Sequence, residues 1–413
     1  MYDNLLYQNV ESLLADDIKN DRLPGSILFS GPDASGKLTA ALETSRILSC
    51  KGGSNINERG KWTCTCSSCL QHKALINSNT ILLGPRDCSL EIAASKKAFL
   101  NAVITNSHVE ATRYLFIRSI RKLTMRFNPV LWQDSDKLSK ISAYTQSINE
   151  LLEEIDPPRE IPDFEPLSKI CDKIEKEALG LEKDIKYDSI SISHIRNLSS
   201  WAHIALSEGK KVIIIEKAER MLEGVRNALL KILEEPPENT VFILTTSKRN
   251  SVMPTILSRV RTYNFTARNS AQSHEIIDRV YHELFDGTIE EYLQQFLPVS
   301  PDLIKQYADN FYTEIISGVI PDLNALIKNC SDFDPRILFR LFLENIYSFQ
   351  KTALTTACGT AASSQCTKAV RDTWNNVTIY NQSITAALEQ LVKEIALINK
   401  QNDNVLRDAY GRL

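Results

Sequence analysis

The sequence predicts an α/β domain built on a parallel sheet, followed by regions made only of helices. Three observations predict it. Two short apolar runs, Val212-Ile213-Ile214-Ile215 and Val241-Phe242-Ile243-Leu244-Thr245, bracket a helical pattern from Gly224 to Glu234. Continuous runs of that length around a helix read as a β-α-β unit buried on both faces. A glycine-rich turn joins a third such run to a helix near the N-terminus, and from Asn269 onward strand-like runs give way to helical periodicity.

The chain has 413 residues, room for two or three domains. A net charge of −3 argues against a bulk electrostatic nucleic-acid binder, though not against a local basic patch. The first residues, MYDNLLYQNVESLLADD, are acidic and lack a basic stretch followed by an apolar core, so no secretory signal is expected. No apolar run approaches the roughly 18 residues a membrane span needs. A cytoplasmic location is therefore expected, and the nine cysteines read as reduced thiols or metal ligands rather than disulfides.

In chain order, Leu5 to Ile18 has the spacing of an amphipathic helix, with Leu5, Val10, Leu13, Leu14 and Ile18 near one face. After the turn at Leu23-Pro24-Gly25 comes the strand Ser26 to Ser30. It runs into Gly31-Pro32-Asp33-Ala34-Ser35-Gly36-Lys37-Leu38-Thr39 and a helix to about Cys50. Strand, glycine loop, Gly-Lys and helix form an arrangement that cradles phosphates: loop N–H groups and the helix N-terminus face the anion, and Lys37 adds a point charge. The motif wants a hydroxyl directly after the lysine to hold Mg²⁺. Leu38 stands there, and Thr39 lies about 100° further round the helix. Two readings stand, a nucleotide site or a loop that keeps its shape without nucleotide.

Cys50, Cys64, Cys66 and Cys69 form a compact group around WTCTCSSC. Thiolates so close in sequence point to structural zinc held tetrahedrally, with unligated thiols as the alternative. Cys66 to Cys69 is a good two-residue knuckle. Cys64 to Cys66 is tight, and His72 is a substitute ligand. Nothing points to catalytic zinc.

Thr80 to Leu83 is a further short strand. The block from Cys88 to about Ile185 is helix-rich and reads as an insertion, broken by the prolines between 157 and 166. Its first part sets Arg113, Arg118, Arg121, Lys122 and Arg126 among Tyr114, Phe116, Phe127 and Trp132. That mixture fits nucleic-acid contact or a solvated basic helix face. Ser191 or Ser193 caps a helix running to Ser207. Beyond Phe265, helices are expected over Ser273–Phe285, Ile289–Phe296, Pro301–Ile316, Asp322–Lys328, Arg336–Ala353 and Thr385–Lys400, with a loop over Ala357–Gln365.

Several stretches carry a family resemblance: Asn20 to Pro32, the cysteines after the loop helix, Asn227-Ala228-Leu229-Leu230-Lys231-Ile232-Leu233-Glu234-Glu235-Pro236-Pro237, and Pro254-Thr255-Ile256-Leu257-Ser258-Arg259. On these residues the chain resembles the bacterial clamp-loader subunits of the AAA+ class, and within them the delta-prime branch of the DNA polymerase III loader. The likeness covers about the first 85 residues and roughly Ser189 to Phe265. It implies a RecA-like AAA+ domain over 1–266, with a zinc module at 50–72 and an insertion at about 88–186. A small helical lid over 267–329 and an all-α collar over 330–413 would follow. It further implies partners: delta-like and gamma/tau-like subunits in a hetero-pentameric ring, and through the ring a sliding clamp and primed DNA.

The resemblance also assigns chemistry. Gly31, Gly36, Lys37, Thr39, Glu216 and Thr245 become a degenerate nucleotide site for ATP or ADP. Cys50, Cys64, Cys66 and Cys69 become zinc ligands, and Arg259 becomes a residue acting in trans on a neighbour's ATP. Hydrolysis in cis needs a hydroxyl after the lysine, an acidic metal partner and a carboxylate that activates water. Leu38 replaces the hydroxyl. Lys217 stands where the family has its catalytic glutamate, and an ammonium cannot accept a proton at neutral pH. The expectation is a non-hydrolysing subunit. The alternative is a gamma/tau-like motor in which Thr39 and Glu216 or Glu219 do adapted work.

Overall fold

The computed structural model describes all residues except 54–58, 86–87, 186–189, 207–208, 356 and 411–413. Among the described residues, no helix is long and apolar enough to cross a membrane. The chain forms two compact units, Met1–Leu293 and Gln294–Leu413.

The first unit is built on a five-stranded sheet of β1 (Ser26–Ser30), β2 (Thr80–Leu83), β3 (Lys211–Ile215), β4 (Thr240–Thr246) and β5 (Arg261–Asn264). The order is β2-β3-β4-β1-β5 and every pair is parallel. β1 pairs β4 from Ser26↔Phe242 to Ser30↔Thr246, so the loops leaving both strands meet at one end. Every residue of β1 to β4 is buried, which is why these strands read as unbroken apolar runs. The edge strand β5 buries only Tyr263 and carried no such signal.

Side chains alternate between two cores. On one face Ile27 and Phe29 of β1, with Ile214 and Ile243, pack against α1 (Val10–Lys19) and α2 (Lys37–Leu48), together with Tyr2 and Leu5. α1 is shorter than expected. Tyr2 and Tyr7 have φ of 60° and 58°, so the chain turns through the first residues, and Leu5 is buried from a turn rather than from a helix. The short helix α3 (Ser67–Lys73) carries the cysteine loop back to β2.

The other face is covered by α4 (Ser89–Thr105), α5 (Val109–Met125), α6 (Pro129–Trp132), α7 (Leu138–Glu153), α8 (Phe164–Asp184), α9 (Ile192–His203), α10 (Glu223–Glu234) and α11 (Pro254–Leu257). Phe99, Phe116, Ile148, Leu167 and Ile174 share one core with Leu28, Ile213 and Leu244 of the sheet. The helical block at about 88–186 is therefore part of the sheet's own core. Ser191, not Ser193, caps α9, its Oγ accepting from His194 N at 3.2 Å. α9 ends at His203, and Ser207, where it was expected to end, lies outside the described residues.

The basic residues of the block bond inside the protein. Arg113 donates to Ile155 O (2.7 Å) and Arg159 O (2.5 Å). Arg118 donates to Lys73 O, and Arg121 to Ala74 O at 3.1 Å and to Asp156 at 2.5 Å. Lys73 and Ala74 end α3, so two guanidiniums take up carbonyls that a helix C-terminus leaves open. Lys122 pairs with Glu91 and Arg126 with Glu216. All five thus have protein partners, which removes the ground for reading them as a nucleic-acid surface.

α12 (Ser270–Tyr281) opens with a capping box between Asn269 and Gln272 and belongs to the first unit, as does most of α13 (Ile289–Gln294). The second unit is a bundle of α14 (Pro301–Ile316), α15 (Leu323–Asn329), α16 (Ile337–Phe349), α17 (Ala357–Thr378), α18 (Ile384–Gln401) and α19 (Val405–Tyr410). Phe342 packs edge-on to both Phe311 and Phe333, with ring centroids 5.3 Å apart in each case. The expected loop at Ala357–Gln365 is instead the first half of α17. Its alanines favour helix and bury Ala362 without needing large side chains, so the lack of bulky apolar residues misled the reading. The segment expected as a lid, 267–329, contributes α12 to the first unit and α14 and α15 to the second.

Because Phe116 lies in the shared core, Phe116→Ala should destabilise the sheet as well as the helical block, by about 3–5 kcal/mol. Urea unfolding of the intact chain should show one shifted transition for the first unit. A helical block melting alone, with the sheet transition unmoved, would contradict the shared core.

Candidate nucleotide site and metal centre

The loops after β1, β3 and β4 open at the carboxyl end of the sheet, where open α/β folds bind ligands. Gly31 starts the first loop. A Cβ there would lie 2.5 Å from Phe265 O, so only glycine fits. Gly36, with φ +89°, caps α2, and a Cβ on it would meet Arg268 Nη2 at 2.9 Å and Leu5 Cδ1 at 3.0 Å. Arg268 donates to Ala34 O and to Leu6 O, the latter at 3.1 Å. Gln8 holds the same junction, its amide donating to Thr266 O (3.0 Å) and accepting from Thr266 N (2.9 Å). The turns before α1 and the segment after β5 thus lie over the glycine loop.

Lys37 is turned into that loop. Its Nζ donates to Gly31 O at 2.7 Å and to Pro32 O, and lies 3.3 Å from Ser35 Oγ. An ammonium has three donors, and loop oxygens lie within reach of all three. Burial holds Lys37 below the ordinary lysine value, and the charge of Asp33 opposes that shift. Leu38 packs against the apolar core on its side of the sheet, and Thr39 is exposed.

Glu216 follows β3, where its carboxylate pairs with Arg126 from the end of α5. Arg126 is 5% exposed and also donates to Lys122 O and to Cys88 Sγ, the latter at 3.3 Å. Cys88 stays a neutral thiol, pushed up to about 12 by burial. Lys217 adopts φ +50° and donates its backbone N–H to Thr245 Oγ1 at 3.4 Å. Glu219 lies in the 3-10 turn Ala218–Arg220, where Oε1 accepts from Ser247 N (3.3 Å) and Oγ (2.9 Å). Its Oε2 is buried without a hydrogen-bond partner among the described residues.

Gly31, Gly36, Lys37, Glu216 and Thr245 therefore gather at one end of the sheet, while Thr39, in the first turn of α2, is exposed. Arg259 sits elsewhere. It precedes β5, whose first residue pairs with Ile27 near the start of β1, at the end of the sheet opposite the glycine loop. Arg259 donates Nη1 to Thr255 O at 2.9 Å, and its Nε and Nη2 both lie 3.2 Å from Glu234 Oε2 at the end of α10.

The sulfurs of Cys50, Cys64, Cys66 and Cys69 all lie within 4.8 Å of one another. Sulfurs about 2.3 Å from one tetrahedral ion stand roughly 3.8 Å apart. Cys50 Sγ and Cys64 Sγ are 3.7 Å apart, so the donor set fits such an ion. Donors also point at the sulfurs, Gly60 N at Cys50 Sγ (3.3 Å) and Cys69 N at Cys66 Sγ (3.4 Å). The tight Cys64–Cys66 spacing is accommodated because Cys66 is the N-cap of α3 and Cys64 lies in the turn before it. A Cβ on Gly52 would lie 2.3 Å from Cys64 Sγ. His72 is not part of the group. It is buried, its Nε2 has no partner among the described residues, and burial, with Arg46 second, pushes it down to about 4.

Among known proteins, the delta' subunit of DNA polymerase III from Haemophilus influenzae is 37% identical over 87 residues, which is 21% of this chain and 27% of that protein. The tau subunit of DNA polymerase III from Bacillus subtilis is 36% identical over 103 residues, 24% of this chain and 18% of its own. The delta' subunit from Pseudomonas aeruginosa is 32% identical over 114 residues, 27% of this chain and 35% of its own. The family described as DNA polymerase III, delta subunit, matches residues 146–269, the stretch that holds Glu216, Thr245 and Arg259.

Over part of its length the chain is thus similar to delta' and tau subunits of DNA polymerase III. The matched part spans about a fifth to a third of the length of these relatives, and they include both delta' and tau subunits. The residues that sequence reasoning missed are those closing the glycine loop: Leu5, Gln8 and Arg268. None belongs to a motif. Arg126 was visible only as one of several basic residues. The usable signal was Glu216 itself, since a carboxylate ending a buried strand needs a cation.

Removing Arg126 leaves that carboxylate unpaired. Arg126→Ala is expected to cost about 3–5 kcal/mol, and Arg126→Met with Glu216→Gln to recover most of it. Urea midpoints of the three proteins check this. Equal losses in the single and double variants would rule out the pair as the cause.

Proposed function

We propose that this chain is a non-hydrolysing, delta-prime-like subunit of a DNA polymerase III clamp loader. It stands in a hetero-oligomeric ring, hetero-pentameric by analogy, beside delta-like and gamma/tau-like subunits in the cytoplasm. It helps the ring place a sliding clamp on primed DNA, and its four cysteines hold a structural zinc ion. The observation that carries the reading is the closed glycine loop: Lys37 bonds Gly31 O at 2.7 Å within the loop it would open to bind phosphate. Three further facts support it. Leu38 stands in the place of the metal-binding hydroxyl, Glu216 is paired with Arg126, and Lys217 stands in the place of a carboxylate that activates water.

Arg259 supplies the chain's contribution to chemistry. It lies at the end of the sheet away from the chain's own glycine loop, which favours action on a nucleotide held by a neighbour. There a guanidinium stabilises the charge that develops on the transferring phosphoryl group. The three-part division into AAA+ domain, lid (267–329) and collar (330–413) is kept as part of this proposal.

A second reading, a gamma/tau-like motor, rests on Glu219, whose buried Oε2 lacks a hydrogen-bond partner among the described residues. One assay separates the two. The purified chain with ATP, Mg²⁺, primed DNA and clamp should turn over no faster than its Lys37→Ala variant. Stimulated turnover lost in that variant would establish the motor instead. In a loader reconstituted with its ATPase subunits, Arg259→Ala should lower kcat by about 10-fold or more while gel filtration shows the ring intact. Unchanged turnover in an intact ring would remove the trans role.

A further inference from the structure

We propose that Arg46 is the positioning residue of the cysteine metal centre, holding the metal loop on α2 and bonding one of the ligand sulfurs. The proposal rests on the reading of that centre as a zinc site. Arg46 lies on α2, the helix that starts at Lys37, and is 1% exposed. A guanidinium has five N–H donors, and here each has an acceptor. Nε donates to Glu43 Oε2 at 3.0 Å, and Nη2 to Glu43 Oε2 and Gly60 O, each at 2.8 Å. Nη1 donates to Lys61 O at 3.1 Å and to Cys69 Sγ at 3.4 Å.

Each acceptor has a distinct place. Glu43, one turn back on the same helix, braces the guanidinium from behind. Gly60 and Lys61 belong to the strand of loop that leads into Cys64, and Cys69 lies on α3. A Cβ on Gly60 would meet Ile47 Cγ2 of α2 at 2.9 Å, so the loop is seated against the helix where Arg46 grips it. The Trp62 ring centroid lies 5.4 Å from Arg46 Cζ and 5.0 Å from Lys73 Nζ, and Lys73 donates to Cys64 O at 2.8 Å. One planar fork thus fixes both arms of the metal loop to the phosphate-loop helix.

The chemistry follows from charge. Four thiolates around a divalent ion carry a net negative charge, and N–H bonds to the sulfurs stabilise that charged form. Lysine cannot replace the arginine, because an ammonium at the end of a flexible stem does not present a fork that reaches sulfur, carboxylate and two carbonyls at once. Outer partners of this kind typically change metal affinity by about 10–100-fold.

The test uses the full chain with Zn²⁺ and Co²⁺ as probes. Wild type, Arg46→Lys, and Glu43→Gln with Arg46→Met are compared by zinc analysis, by competition with a chromophoric chelator, and by the Co²⁺ absorption spectrum. The double variant leaves no buried carboxylate unpaired. Wild type is expected to hold one zinc per chain, and both variants to bind zinc about 10–100-fold more weakly with a changed Co²⁺ thiolate spectrum. The variants' loss of thermal stability should be larger in the zinc form than in the chelated form. Zinc affinity within threefold of wild type and an unchanged Co²⁺ spectrum, or equal stability losses with and without zinc, would overturn the role of Arg46 alone. Wild-type protein without zinc would overturn the metal centre, and this proposal with it.

Discussion

The pair between Arg126 and Glu216 governs how the carboxyl end of the sheet is arranged. A carboxylate at the end of a strand buried on both faces is in a low-dielectric place and needs a cation close by. In a hydrolysing site a metal ion answers that need. Here a guanidinium at the end of α5 does, beside the apolar core that the helical block shares with the sheet. The same economy appears at Lys37, whose charge is answered by carbonyls of its own loop. Both of the charges that would greet a nucleotide and its metal are satisfied within the chain.

Guanidiniums recur as internal joinery. Arg113 ties α5 to the turn after α7, Arg118 and Arg121 cover the C-terminus of α3, and Arg46 ties the cysteine loop to α2. Each answers backbone carbonyls that helix ends and irregular loops leave open. This explains how long loops between α2 and β2 are held without a large apolar core of their own. It also explains why basic residues scattered among aromatics need not face solvent or DNA.

The central architecture was legible because its signals are local. β1 to β4 read as strands since each is buried along its whole length, and α12 to α16 and α18 show their periodicity plainly. The glycine loop and the cysteine group were legible as spacing. What was illegible depends on contacts between distant residues. β5 is recognised as a strand only through its pairing with β1, and α17 hides its helical nature in small residues. Arg126 and Glu216 are 90 positions apart, Gln8 and Thr266 258 apart, so no window of sequence reveals either bond. Arg259 could be placed by its flanking motif, whereas its bond to Glu234 could not.

Gly52 carries a consequence beyond this molecule. Its missing side chain leaves room for the sulfur of Cys64, so the glycine shapes the four-cysteine group although it offers no ligand. A larger residue there would displace the sulfur from the group with every cysteine still present. Counting cysteines is thus an incomplete census of which chains can hold a metal. A chain that keeps four cysteines but bears a bulky residue two positions after the first has the ligands without the space to use them.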